Sequence, residues 1–269
     1  MKIAFIGGGN MAAALISGLL RAGRQAAEVV AVEIDASRCA QLRQQFGIRA
    51  ATAPDAALSD AGALVLAVKP QFMREACEAA RPHLGEPLVV SVAAGIRTAD
   101  LARWLGRQAI VRTMPNTPAL VGRGFTGMAA TAQVSGAQRE LAESILRTAG
   151  DVVWFDDEAK LDAVTAVSGS GPAYVFYFIE ALARAGTELG FTAEQARELA
   201  VQTFAGAAQL AAESAEPLAT LRQRVTSKGG TTAAALAWME ANAVEARIVE
   251  AVHAAHRRAG ELGEEFGRQ

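Results

Sequence analysis

A glycine-rich turn near the amino terminus could bind a phosphate group. Residues 6–12 read Ile-Gly-Gly-Gly-Asn-Met-Ala, match the pattern G-x-G-x-x-A, and follow a short apolar run. In this pattern the first glycine permits a sharp turn, the second lets a pyrophosphate approach the backbone, and the final small residue lets a helix pack closely. Free N–H groups at the helix start then face the phosphate charge. The sequence therefore predicts a dinucleotide site at Ile6, Gly7, Gly9, Asn10 and Met11.

Two groups of opposite charge follow the next apolar run. Glu33 and Asp35 lie where an acidic residue commonly binds the ribose hydroxyls of NADH and repels the 2′-phosphate of NADPH. Ser37 and Arg38 come directly afterwards and could bind that phosphate instead. The residues leave the choice between the two coenzymes open.

Polar residues also follow two later apolar runs. The segment Ala67-Val68-Lys69-Pro70 closes one run, and Asn116 lies between two prolines after another. Ligands of open parallel sheets bind at the carboxyl ends of the strands, so these segments could line a cofactor cleft. Lys69 is equally compatible with a solvated strand end, and a stiff proline turn explains the segment around Asn116 by itself.

The carboxyl-terminal half contains two motifs rich in glycine and hydroxyl groups. The sequence Ser-Gly-Ser-Gly-Pro at 168–172 is typical of a helix start, and close backbone packing explains it slightly better than a ligand does. Residues 226–232 read Thr-Ser-Lys-Gly-Gly-Thr-Thr and precede a helical pattern. Because one hydroxyl suffices to cap a helix, four hydroxyls with a lysine favour a small carboxylate site.

The predicted secondary structure that positions these motifs changes along the chain from alternating strands and helices to helices only. Apolar runs separated by helical patterns, such as 36–46, predict a doubly wound parallel sheet of the Rossmann type, with two further strand candidates near 124–130 and 151–155. The predicted strands are 2–6, 28–34, 63–68, 87–92 and 109–113, and the later helices are 173–189, 193–214, 217–225 and 232–262. We therefore expect an α/β dinucleotide-binding domain at 1–158 and an all-helical substrate-binding and dimerisation domain at 159–269.

Bulk composition is ordinary for a globular enzyme. The chain has 269 residues, is 51% hydrophobic, and carries a formal net charge of −2. This balance provides no electrostatic basis for binding nucleic acid or an anionic membrane. Cys39 and Cys77 are expected to be buried thiols in a reducing compartment, and the three histidines form no metal-ligand pattern, so the sequence predicts a cytoplasmic protein without metal. The many apolar helix faces after residue 158 favour a homodimer over a self-sufficient helical core.

Taken together and in this order, the five motifs resemble the pyrroline-5-carboxylate reductase family from end to end. The resemblance implies reduction of 1-pyrroline-5-carboxylate to L-proline, usually with NADPH although NADH is possible, and a helical domain that interlocks with a second subunit. It implies that Val68 and Lys69, next to Ala67, line the cofactor cleft and that Ala93 and Asn116 lie near the nicotinamide. On the substrate side it implies roles for Glu158, Ser227, Gly230, Thr231 and Thr232.

In that resemblance Thr232 bonds the imine nitrogen and is the catalytic residue, while its neighbours hold the substrate carboxylate. Two residues depart from the family pattern: Lys228 replaces a frequent proline, and Glu33 puts the usual NADPH preference in doubt. The absence of histidine from the motifs is compatible with hydride transfer to an imine, which needs no strong base.

Two alternatives remain. One is another two-domain dehydrogenase of the β-hydroxyacid type, which would need a lysine on the first long helix after the sheet, but 173–189 contains none. The other is a cofactor-sensing protein without catalysis, which would leave the hydroxyl-rich motif at 226–232 unexplained.

Overall fold

A computed structural model describes residues 1–268, which form two compact units that are described separately. The first unit comprises Met1–Ser170 and the chain from Ala255 onward, and the second comprises Gly171–Ala254. Residues 159–170 belong with the first unit because Leu161 and Val164 pack against Ala129 of its sheet. The sequence-based boundary after residue 158 stays a prediction of domain organisation.

An eight-stranded sheet forms the centre of the first unit. Its spatial order is β3-β2-β1-β4-β5-β6-β7-β8. The strands are β1 Lys2–Ile6, β2 Val29–Val32, β3 Arg49–Ala51, β4 Ala61–Leu66, β5 Leu88–Ser91, β6 Ile110–Met114, β7 Gly124–Ala130 and β8 Gly150–Trp154. Strands β1 to β6 pair in parallel, β7 is antiparallel to β6, and β8 is parallel to β7. The predicted sheet is confirmed, as are the two strand candidates near 124–130 and 151–155, which are β7 and β8, and the pairing is mostly parallel.

Both faces of this sheet are buried, which explains why its strands are apolar throughout. Successive side chains of a strand point to opposite faces. Accordingly Ile3 and Phe5 belong to one buried cluster, and Ala4 and Ile6 belong to another on the opposite face. The helices of this unit are α1 Asn10–Arg21, α2 Ala36–Phe46, α3 Met73–Ala80, α4 Thr98–Leu105, α5 Gly136–Leu146 and α6 Lys160–Val164, followed by a π-helical turn at Thr165–Gly169.

Several strands end earlier than the sequence predicts. β2, β4 and β5 end at Val32, Leu66 and Ser91, so Lys69 lies in the loop after β4 and not at its last residue. After β4 and β5 the apolar runs continue past the strand ends because Ala67, Val68 and Val92 are themselves partly buried, whereas Ile34 after β2 is 85% exposed. β3 was missed because it has three residues, of which one is buried.

The second unit contains helices only. They are α7 Gly171–Glu188, α8 Ala193–Glu213, α9 Leu218–Arg224, α10 Thr231–Ala241 and α11 Val244–Gly267, the last of which ends in the first unit. The prediction of one helix over 232–262 was wrong, because the backbone breaks at Asn242 and Ala243. Ala243 has a φ of 53°, in the left-handed region, and the Asn242 side chain donates to the Trp238 carbonyl at 2.8 Å. Asparagine competes for backbone bonds in this way, which ends a helix that periodicity alone would continue.

Gly171–Ala254 buries little of its apolar surface within the chain. Ala196 and Ala200 are its only buried residues, and α7 and α10 have none. Large apolar side chains, including Phe176, Tyr177 and Trp238, are at least 60% exposed. No helix among residues 1–268 is long and apolar enough to cross a membrane.

Candidate active site

The first turn of the candidate site can be built only with glycine. Gly7 follows β1, has a φ of 98°, and donates its N–H to the Val32 carbonyl at 2.7 Å. A Cβ at this position would lie 2.6 Å from the Ala67 carbonyl oxygen. The turn therefore passes directly between the ends of β2 and β4, and both its backbone angle and its neighbours exclude a larger residue.

The next glycine leaves open space in front of a helix. Gly9 is exposed, and a Cβ built on it would have no atom within 4 Å. It precedes α1, which begins at Asn10 without a side-chain cap and without an acidic residue in its first turn. The first N–H groups of α1, at Asn10 and Met11, are thus unpaired and carry the positive end of the helix dipole. This arrangement fits a pyrophosphate, as the motif predicts.

Glu33 is bound into the glycine turn. Its Oε2 accepts from the Gly8 N–H at 2.7 Å, and its Oε1 accepts from the Asp35 N–H at 3.0 Å. Arg38 lies at the same turn, since its Nε donates to the Gly8 carbonyl at 2.6 Å. The carboxylate and the guanidinium that bear on coenzyme choice are therefore neighbours, each fixed by the backbone of Gly8.

Asp35 and Ser37 form the start of α2. The Asp35 carboxylate accepts from the backbone N–H groups of Ser37 and Arg38 and caps the helix. Hydrogen bonds from the Ser37 side chain and then from these two N–H groups hold the pKa of Asp35 below its ordinary value. Asp35 thus serves as a charged helix cap.

The loops after β4 and β5 carry four predicted cofactor residues, of which Ala67 is partly exposed and directly follows β4. Val68 is partly exposed, Lys69 is exposed, and Pro70 follows Lys69 and starts a short helical turn. Ala93 is 5% exposed and lies two residues after β5. Their shared location at the carboxyl edge of the sheet agrees with the prediction, and their contact with a cofactor remains a prediction.

The Asn116 side chain is engaged on both of its polar atoms. Its Oδ1 accepts from the Phe125 N–H at 2.9 Å, and its Nδ2 donates to Ser168 Oγ at 3.1 Å and to the Ser168 carbonyl at 3.3 Å. The amide therefore fixes the loop between β6 and β7 instead of extending freely toward a ligand.

A buried charge network surrounds Glu158. Arg112, on β6, is 2% exposed and binds Glu158 Oε1 and Asp162 Oδ1, each at 3.1 Å. Glu158 also accepts from the backbone N–H of Thr98 at 2.9 Å and from its hydroxyl at 2.7 Å. Arg97 binds Asp162 Oδ2 at 2.8 Å. Glu158 thus places a negative charge at the amino-terminal end of α4. Its contact with the substrate remains a prediction.

Sequence reasoning missed Arg112 and Asp162 as residues that shape this region, and it singled out the motif at 168–172 without predicting the contact of Ser168 with Asn116. A detectable signal existed for Arg112, since an arginine in the middle of an apolar strand that is buried on both faces requires acidic partners. No comparable signal identified those partners, which lie 46 and 50 residues further along the chain.

The hydroxyl-rich motif of the second unit precedes α10 as predicted. Gly229 has a φ of 72°, and the Gly230 N–H donates to the Ser227 carbonyl at 3.0 Å. A Cβ on Gly230 would lie 2.5 Å from Ser227 Oγ. Thr231 and Thr232 are the first residues of α10, which has no side-chain cap. Their hydroxyls and N–H groups therefore remain available at the positive end of the helix.

Comparisons with known proteins identify the family. Residues 158–262 match the model for pyrroline-5-carboxylate reductase dimerisation, and residues 2–95 match the model for NADP oxidoreductase, coenzyme F420-dependent. The pyrroline-5-carboxylate reductase of Pseudomonas aeruginosa is 48% identical over 269 residues, which cover 99% of this chain and 98% of that protein. The chain belongs to the pyrroline-5-carboxylate reductase family. It is accordingly an NAD(P)-dependent oxidoreductase with the activity of that family.

Two solved structures of the family share the fold over nearly the whole chain. A pyrroline-5-carboxylate reductase from Coxiella burnetii superposes with a TM-score of 0.89 at 39% identity, covering 97% of this chain and 98% of the other. A Plasmodium falciparum pyrroline carboxylate reductase with NADP bound gives a TM-score of 0.86 at 28% identity, with 98% of both chains covered. Family membership decides against the alternative of a β-hydroxyacid dehydrogenase.

Proposed function

We propose that this chain reduces 1-pyrroline-5-carboxylate to L-proline with NADPH as hydride donor, and that NADH can replace it. A hydride adds to C5 of the imine and a proton is taken up at its nitrogen, so that NADP⁺ is released with proline. The observation that carries the proposal is the uncapped start of α10, where the hydroxyl groups of Ser227, Thr231 and Thr232 lie beside N–H groups that no side chain caps.

The substrate carboxylate is proposed to bind at this helix start. Ser227 and Thr231 are proposed to supply hydroxyl and N–H donors, and Gly230, whose own N–H donates to the Ser227 carbonyl, is proposed to let the carboxylate approach the backbone. Lys228, exposed in the same loop, adds a positive charge. Thr232 is proposed to bond the ring nitrogen, and Glu158 to lie near the substrate while it holds Thr98 and Arg112.

The dinucleotide is proposed to bind at the glycine turn of the first unit. Ile6, Gly7, Gly9, Asn10 and Met11 hold the pyrophosphate, and the open space at Gly9 supports this assignment. Ala67, Val68, Lys69, Ala93 and Asn116 are proposed to line the remaining cleft. When bound, the coenzyme supplies the hydride, and the protein contributes orientation of the two reactants.

Coenzyme choice is proposed to depend on the balance between Glu33 on one side and Ser37 and Arg38 on the other. The negative charge of Glu33 disfavours a 2′-phosphate, whereas the guanidinium of Arg38 at the same turn favours it. Two unit charges about 4 Å apart interact by ~1 kcal/mol in water, which corresponds to about fivefold. We therefore expect Glu33→Gln to raise the ratio of kcat/KM with NADPH to kcat/KM with NADH by about fivefold. An unchanged or lower ratio would exclude this role.

A homodimer, or a larger homo-oligomer, is proposed to cover the exposed apolar helices of Gly171–Ala254. These residues match the family's dimerisation model, and they leave large apolar side chains exposed in the single chain. Exposed apolar surface of this extent is typical of an interface. The cytoplasmic location expected from the sequence remains a prediction.

The test is turnover of 1-pyrroline-5-carboxylate, followed by the oxidation of NADPH or NADH at 340 nm. Purified protein should oxidise at least one coenzyme only when the imine is present. If neither is oxidised, the proposal is wrong, and coenzyme binding without turnover would favour the cofactor-sensing alternative.

Variants of Thr232 test its role separately. Hydrogen bonds to charged groups contribute about 1.5–3 kcal/mol, so Thr232→Ala should lower kcat/KM by about 10- to 150-fold. Thr232→Ser keeps the hydroxyl and should retain most of the activity. Thr187→Ala, which removes a hydroxyl bonded to the backbone of its own helix, is the control. Wild-type kcat/KM in Thr232→Ala would refute the assignment.

A further inference from the structure

Ser168 contacts the loop after β6, although nothing in the proposed chemistry uses it. The loop follows Met114, the last residue of β6, and includes Asn116, which the proposed function places at the cofactor cleft. Ser168 lies 52 residues beyond Asn116, yet its hydroxyl and carbonyl oxygens both accept from the Asn116 side chain. The contact therefore joins the cofactor loop to the segment that ends the first unit.

The Asn116 side chain bonds only Phe125 and Ser168 among the described residues. Its Oδ1 accepts from the Phe125 N–H of β7, and its Nδ2 donates to Ser168. The two bonds hold opposite sides of the loop, one toward the sheet and one toward Ser168. Loss of the Ser168 hydroxyl would leave Nδ2 only the longer bond to the Ser168 carbonyl, at 3.3 Å, so one of the two side-chain restraints on the loop would be weakened.

The local backbone explains why Ser168 is free to accept. Thr165–Gly169 forms a π-helical turn, closed by the Ser170 N–H donating to the Thr165 carbonyl at 2.8 Å. In a regular helix the Ser168 carbonyl would accept from the residue four positions later. That residue is Pro172, which has no N–H. The Asn116 amide supplies the missing donor.

Gly169, next to Ser168, allows this segment to lie close to Met114. A Cβ on Gly169 would overlap the Met114 Cε, so a larger residue would displace the Met114 side chain. Three residues of the Ser-Gly-Ser-Gly-Pro motif thus have a structural role. Pro172 leaves the Ser168 carbonyl without a helical donor, Gly169 permits close packing, and Ser168 adds a hydroxyl acceptor. π-helical turns of this kind are frequent at functional sites.

We propose that Ser168 is a positioning residue for hydride transfer. It acts through Asn116, whose side chain fixes the loop that follows Met114. The proposal rests on the proposed function, because that function places the loop beside the nicotinamide. Hydride transfer is sensitive to displacement of the reacting atoms, so a loosened loop should affect kcat more than the binding of the imine.

The experiment compares Ser168→Ala, Ser168→Thr and the control Ser170→Ala in steady-state turnover with NADPH. The Ser170 side chain makes no hydrogen bond among residues 1–268 and lies in the same motif with similar exposure. Ser168→Ala should lower kcat about tenfold and change the KM of the imine less than threefold, whereas Ser168→Thr and Ser170→Ala should remain within twofold of wild type. The isotope effect on kcat with NADPH deuterated at the transferred position should rise in Ser168→Ala.

A double-mutant cycle shows whether Ser168 acts through Asn116. Adding Ser168→Ala to Asn116→Ala should lower kcat by less than twofold, because the donor is already absent. Unchanged kcat in folded Ser168→Ala, or full additivity in the cycle, would overturn the proposal. If the wild-type protein turns over no imine, the proposed function fails, and the role of Ser168 that rests on it fails as well. If the wild-type protein turns over the imine and Ser168→Ala has the same kcat, only the positioning role is refuted.

Discussion

The buried charge network predicts a large loss of stability in Asp162→Asn. This change keeps the shape of the side chain and removes its charge. Arg112, 2% exposed, would then keep Glu158 as its only acidic partner, and Arg97 would lose Asp162. Removing one partner of a buried ion pair typically costs about 3–5 kcal/mol, because a charge is left without compensation.

The magnitude should lie near the lower end of that range. Glu158 still neutralises Arg112, and the side chain of Arg97 is 30% exposed, so water can replace part of its lost bond. We expect a loss of about 3 kcal/mol in the free energy of unfolding. For a chain of this length each kcal/mol lowers Tm by roughly 2–4 °C, which gives a decrease of roughly 6–12 °C.

The assay is thermal unfolding followed by circular dichroism at one fixed protein concentration, since association with a second copy would also affect Tm. Asp60→Asn is the matched control: the same change is made in an ion pair with Lys2, but the Asp60 side chain is 66% exposed. Its Tm should stay within about 2 °C of wild type, because exposed pairs contribute little. If Asp162→Asn lowers Tm no more than Asp60→Asn does, the argument from the burial of Arg112 is refuted.

Two further predictions concern the glycine turn and the thiols. Gly9→Ala should retain the wild-type Tm and lose NADPH binding, because its Cβ meets no protein atom but fills the space through which the phosphate approaches. Gly7→Ala should also lose at least ~2 kcal/mol of stability, because its φ is positive and its Cβ would meet the Ala67 carbonyl. NADPH titration and thermal unfolding separate the two effects, and equal Tm values for the two variants would contradict the account. Burial, and then the charge of Glu78, raise the pKa of Cys77 to about 12, and Cys39 is also buried. A thiol-specific reagent at pH 8 should therefore react with neither cysteine in folded protein and with both after denaturation, and reaction of folded protein within minutes would show that these thiols are accessible.

Local patterns in the sequence were sufficient for seven of the eight strands, the glycine turn and the bounds of α2, α7, α8 and α9 to within two residues. Gly7 and Gly9 could be assigned from spacing because a sharp turn and an open helix start depend on a few consecutive residues. The strands could be recognised because a sheet buried on both faces requires continuous apolar runs. The break at Ala243 could not, since an alanine with positive φ follows no local preference.

Contacts between distant residues required the tertiary structure. An arginine in β6 indicates buried partners, but only the folded chain identifies them as Glu158 and Asp162. The same holds for Asn116, which the sequence assigned to a ligand loop and the structure bonds to Ser168. Each pair lies about 50 residues apart, and no spacing rule links side chains over that distance. The sequence by itself thus determined the fold class and predicted which groups carry the chemistry. The tertiary structure decided which groups hold Glu158 and Asn116 in place, because buried polar atoms take their partners from whichever segments folding brings together.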